Sequence, residues 1–147
     1  MKRFGKRVLC GLLTVCLMST MLCAFASANT RSSAYLSSYT ATLKALSGGD
    51  IAVVVDVHGV GTMAEIGAAE IHIYESTDDV SFDLVESYYS DDCSDMLWQN
   101  KTHYYDSPVT YEGVAGRYYM ATVCFYGAKN NGSDTAWYTT VSKRAIS

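Results

Sequence analysis

Along most of the chain, apolar and polar residues alternate with period two rather than 3.6, the pattern of strands half-buried against a core. Tyr39, Ala41, Leu43 and Ala45 alternate with Ser38, Thr40, Thr42 and Lys44. After the turn Ser47-Gly48-Gly49-Asp50, Ile51, Val53, Val55 and Val57 point one way and Ala52, Val54, Asp56 and His58 the other. β-Branched side chains fit such a pleated surface. Gly59 and Gly61 are expected to end this strand. Thr62-Met63-Ala64-Glu65 has the spacing of a capping box, so Thr62–Ile66 reads as one helical turn with Met63 and Ile66 plugging the core.

Alternation resumes at Ala69, Ile71 and Ile73, and Ser76-Thr77-Asp78-Asp79 turns the chain into a hairpin partner, Phe82–Tyr89. Trp98–Tyr105 is poorly patterned and reads as a short edge strand. Pro108 opens Val109–Glu112, where a missing N–H costs little. In Arg117–Gly127 the apolar face is Tyr119, Ala121, Val123 and Phe125, and the loop Asn130–Asp134 leads into Thr135–Lys143. About seven short strands with regular turn signals predict an all-β fold, a two-sheet antiparallel β-sandwich.

The N-terminus follows different rules. Met1–Arg7 is basic, Val8–Ala24 is apolar, and Ala26-Ser27-Ala28 offers the small residues a signal peptidase reads. Residues 1–28 are therefore expected to be a cleaved signal peptide, 29–37 a flexible N-terminal segment, and 38–147 a single β-sandwich domain. Cleavage removes four of the 11 basic side chains and none of the 15 acidic ones, moving the net charge from −4 to −8. An acidic chain of this kind repels phosphate backbones, so nucleic acid is not an expected partner. The mature protein is expected to be secreted and extracellular, with no membrane span. Of the five cysteines, Cys93 and Cys124 survive, and export permits a disulfide between them. Such a bond would be worth roughly 3–4 kcal/mol on the chain-entropy account. Two reduced thiols, one of them buried, are the alternative.

Ile71-His72-Ile73-Tyr74-Glu75-Ser76-Thr77-Asp78 with Phe82 resembles the third-strand hairpin of bacterial fibronectin-III-like modules, which belong to the wider immunoglobulin-like class of sandwiches. Gly116-Arg117-Tyr118-Tyr119, leading into Val123 and Phe125, resembles their tyrosine-corner strand, and Gly132-Ser133-Asp134 their last turn. Gly61-Thr62-Met63-Ala64-Glu65-Ile66-Gly67-Ala68 is similar to small exported proteins of Gram-positive bacteria classed as domains of unknown function. These resemblances imply a fold and a location, not a mechanism. One departure from immunoglobulin domains is plain: Cys93 and Cys124 do not bracket a core Trp.

Catalytic signals are missing. There is no G-x-S-x-G, no H-E-x-x-H and no Cys beside a plausible base, and the chain is read as non-enzymatic. Asp78, Asp79, Asp83, Asp91, Asp92 and Asp95 lack the spacing of a calcium loop and read as solvated loop charge. His58 and His72 fall on strands assigned to different sheets, and His103 lies in the loose Trp98–Tyr105 segment, so no zinc site is expected. No cofactor is expected. The unusual feature is tyrosine, 12 in the chain, beside Trp98 and Trp137. Tyr74, Tyr118, Tyr126 and Tyr138 are read opposite the apolar alternation, forming an exposed aromatic sheet face. Rings give large contact area at low entropy cost. The expected function is an exported binding module recognising a cell-surface glycan or an extracellular protein; the alternative is a small secreted effector or inhibitor acting on a protein partner. Simple cross-strand stabilisation is the competing account of the same tyrosines.

Overall fold

A computed structural model of the chain describes residues 33–147. The expected signal peptide lies outside the described residues. The described part of the 29–37 segment is tied down: Ser33 Oγ accepts the backbone N–H groups of Tyr35 and Leu36, and Leu36 is buried.

Seven strands follow: β1 (Leu36–Ala45), β2 (Ile51–Ser76), β3 (Asp83–Tyr89), β4 (Leu97–Tyr111), β5 (Tyr118–Lys129), β6 (Gly132–Thr139) and β7 (Lys143–Arg144). All pairings are antiparallel and all seven strands belong to one sheet. The protein is all-β, as the period-two pattern predicts.

The single sheet arises because β2 is 26 residues long. Its first half pairs with β1 on one side and β4 on the other, from Ile51 to His58. Its second half pairs with β5 and β3, from Glu70 to Glu75. The expected break at Gly59 and the helical turn at Thr62–Ile66 are both absent; the strand runs through them. Gly61, at φ +77°, takes a backbone conformation that lets β2 bulge without ending. There Gly59–Thr62 lie opposite the lone Thr102 of β4. Gly67 is needed for a second reason, since a Cβ at that position would sit 2.0 Å from the Met96 carbonyl oxygen. Met63 and Ile66 nevertheless point into the core, both fully buried.

The core is the odd-numbered face of β2 (Ile51, Val53, Val55, Val57, then Ile71 and Ile73) against Tyr119, Ala121, Val123 and Phe125 of β5. The sheet folds back over itself: Tyr39 of β1 lies 5.1 Å from Phe125, and Leu36 fills the space over Gly127, although β1 and β5 share no hydrogen-bonded pairing. Pro108 sits inside β4 at the register shift between Val53 and Val55, on a strand paired only to β2, where its missing N–H is tolerated.

Cys93 and Cys124 are not bonded; both are free thiols. Cys93 packs from the loop after β3 onto the core, while Cys124 alternates with core-facing Val123 and Phe125 and so points away from it, beside Glu70. The two sulfurs sit on opposite faces of the sheet. Among the described residues no helix is long and apolar enough to cross a membrane.

Candidate functional site

The face of β5 opposite the core carries Tyr118, Met120, Thr122, Cys124 and Tyr126. Across from them stand Glu70, His72 and Tyr74 of β2, then Tyr89, Ser87 and Leu84 of β3 on one side and Thr135, Trp137 and Thr139 of β6 on the other. Three of the four tyrosines expected on an outer face, Tyr74, Tyr118 and Tyr126, are placed there, each half-buried. Tyr118 is further covered by Arg144, whose guanidinium lies 5.8 Å from the ring centroid.

Tyr138 requires a correction. It pairs with Val123, packs against the core and meets Phe125 edge-on at 6.3 Å. Its neighbour Trp137 takes the outer face instead, 55% exposed. In β6 only Ala136 marks the inward parity, and alanine is too small to announce a core face, so the sequence pattern placed Tyr138 on the wrong side.

The centre of this face is His72. Its ring lies nearly parallel to Trp137 (centroids 5.8 Å apart, planes at 10°) and edge-on to Tyr89 at 6.0 Å. Glu70 Oε2 lies 3.2 Å from its Nε2, and Ser87 Oγ lies 2.8 Å from its Nδ1. A carboxylate only accepts, so Nε2 carries a proton, and in the neutral ring Nδ1 accepts the Ser87 hydroxyl. Both ring nitrogens are used, which fixes the plane against which Trp137 stacks. Trp137 and Tyr89 are both open to solvent. The result is a rigid, partly apolar platform with polar groups at its edges. Cys124, opposite Trp137 in register, is buried there, and burial with help from Glu70 pushes its thiol up to about 11. That thiol is not a nucleophile at neutral pH.

A second constellation lies on the outer face of the other half of β2. His58 and His103 are direct cross-strand partners of β2 and β4, with rings stacked at 3.9 Å and 8°. Asp56 Oδ1 lies 3.3 Å from His58 Nε2 and 2.9 Å from His103 Nε2. Tyr105, the cross-strand partner of Asp56, flanks His103 at 6.3 Å. Sequence reasoning separated these histidines because it gave His103 no register. The alternation Asp56-x-His58 was visible; the strand opposite was not.

Asp78 Oδ1 accepts the N–H groups of Val80 and Ser81 and the Ser76 hydroxyl, which holds its carboxyl at about 2. A concavity of about 320 Å³ between Thr62, Asn100 and Asn131 has Lys129 as its one charged side chain.

Compared with protein-family models, with curated proteins and with solved structures, the chain matches none of them. What the site does must be argued from its own geometry.

Proposed function

We propose that the chain is an exported, non-catalytic binding module that holds a cell-surface glycan on the outer face of β3, β2, β5 and β6. The observation that carries this reading is the exposed Trp137 ring braced parallel to His72 with Tyr89 beside it. Sugar rings present C–H faces that stack on aromatic planes, and their hydroxyls need acceptors and donors at the rim. Glu70, Ser87, Thr122 and Thr135 supply those at or beside the platform. The net charge of −8 expected after cleavage favours neutral over anionic polymers.

The proposal takes the fold as a two-sheet sandwich of the fibronectin-III or immunoglobulin-like kind, with β2 passing from one sheet to the other. Two contacts support it. The Tyr119 hydroxyl accepts the Val114 N–H, five residues upstream, at 2.8 Å, the contact that defines a tyrosine corner. The packing of Tyr39 on Phe125 adds an inter-sheet contact of the sandwich type.

Affinity electrophoresis through gels containing neutral cell-wall polysaccharides tests the reading. Retention of the wild-type protein, lost in Trp137→Ala and Tyr89→Ala, is the expected result. Retention by none of the polysaccharides, or undiminished retention of both variants, overturns it.

A further inference from the structure

We infer that Asp56, His58 and His103 form a surface site for a divalent first-row transition metal ion, with Zn²⁺ the ion its donor set suits. This goes beyond the glycan reading and does not depend on it, since the three residues lie on the half of β2 paired with β4.

The donors converge. Among the described residues these three are the group of His, Cys, Asp or Glu side chains whose ligand atoms all lie within 4.8 Å of one another. Zinc bonds of roughly 2.0–2.1 Å set tetrahedral donor-to-donor edges of about 3.3 Å. The two edges from Asp56 Oδ1, 3.3 Å to His58 and 2.9 Å to His103, are close to that length, and the rings, stacked at 3.9 Å and 8°, must tilt toward one another for both Nε2 lone pairs to meet one ion. Both rings present the same nitrogen, Nε2, to the same oxygen. In the metal-free protein His103 Nε2–H donates to Asp56 and His58 Nε2 lies beside the same oxygen; an ion would displace any proton on these nitrogens and use their lone pairs.

Two imidazoles and one carboxylate are borderline donors that suit zinc or copper and not the oxygen-only preference of Ca²⁺ or Mg²⁺. The scaffold is suitable as well. His58 and His103 are fixed by strand pairing, with Asp56 two residues from His58 on the same face, so the triad sits on backbone and not on a loop. The side chains are 33–48% exposed, leaving the ion open to solvent, with its fourth position for water. Nor does packing require the arrangement: exposed His–Asp pairs add little to stability.

Isothermal titration of the protein with Zn²⁺ in chelator-free buffer, with Ca²⁺ and Mg²⁺ as comparisons, reads the site directly. Saturable binding of one Zn²⁺ per chain is expected, with none of comparable strength for Ca²⁺ or Mg²⁺. Removing an outer-shell partner of a metal ligand already costs roughly 10–100-fold in affinity, so His58→Ala, His103→Ala and Asp56→Asn should each weaken binding at least that much. Asp91→Asn, in the exposed loop after β3, should leave it unchanged. Circular dichroism melts confirm that the variants remain folded, and histidine ¹⁵N spectra should show Nε2 of His58 and His103 changing on zinc addition. No saturable Zn²⁺ binding, or binding that survives His58→Ala and His103→Ala, overturns the assignment.

Discussion

The Tyr119 hydroxyl donates to Glu75 Oε2 at 2.5 Å while it accepts the Val114 N–H, so one phenol joins β5, β2 and the turn before β5. The ring is fully buried, and burial together with the Glu75 hydrogen bond pushes its pKa up to about 12. Arg117 completes the set by pairing with the other Glu75 oxygen.

Tyr119→Phe keeps the ring and removes both hydrogen bonds. It leaves a part-buried carboxylate with one partner fewer and the Val114 N–H without its acceptor, which should cost about 1–3 kcal/mol. Urea unfolding of the two proteins measures this. An unchanged midpoint would mean that the phenol makes neither contact in solution.

Trp137 and Tyr138 are adjacent and point to opposite faces, so their truncations should separate. Tyr138→Ala removes packing against Phe125 and should cost on the order of 2–4 kcal/mol, somewhat less than for a fully buried aromatic. Trp137→Ala should cost about 1 kcal/mol or less, as an exposed cross-strand contact does. Denaturant melts that reverse this order would exchange the faces of the two side chains.

The thiols should differ in reactivity. Cys93 is half-buried in the loop between β3 and β4, and Cys124 is buried with its pKa pushed up to about 11. Iodoacetamide at mildly alkaline pH should label Cys93 in the native protein and reach Cys124 only after denaturation. Peptide mapping without reductant should find no Cys93–Cys124 link. A linked peptide from the native protein would place the two sulfurs on one face, against the strand parity of β5.

Sequence pattern read the inward face of β5 residue by residue, because Tyr119, Ala121, Val123 and Phe125 are large or apolar enough to mark every second position. It also read the first half of β2 for the same reason. It failed where the physical cause is not local. Gly59 and Gly61 signal a break, yet β4 and β5 supply partners to Met63–Gly67 that carry the strand across. Trp98–Tyr105 looks unpatterned because the two residues it turns to the core, Trp98 and Tyr104, keep one parity but are separated by the polar, exposed Asn100 and Thr102. The His58–His103 pair depends on the register between β2 and β4, which no window of sequence contains.

Acid should expose the role of Asp78. Its carboxyl titrates at about 2 instead of 3.8, held there first by the backbone N–H groups of Ser81 and Val80 and then by Ser76. A carboxyl whose folded pKa is depressed contributes stability above its unfolded value and loses it as pH falls through the folded one. The contribution is therefore complete above about pH 4 and disappears toward about pH 2. Asp78→Asn removes the titration, so wild-type stability should fall more steeply than the variant's across that window. Urea melts at neutral pH and within the acid window provide the comparison; parallel losses would remove Asp78 from the cause.

The length of β2 bears on how the protein comes apart. Each half of the sheet borrows its central strand from the same unbroken backbone, so neither half possesses a full set of ladder partners of its own. A disturbance at β1 or β4 therefore reaches β5 through shared peptide groups, without needing side chains to relay it. Unfolding should be a single cooperative transition, with the amides of β2 on both sides of Gly67 exchanging hydrogen only when the whole domain opens. Assembly bears the opposite burden: residues near 51 must find partners near 111, and residues near 70 partners near 124, before either half gains its core. Such distant closures make a slow folder that, once closed, has no independent part to lose.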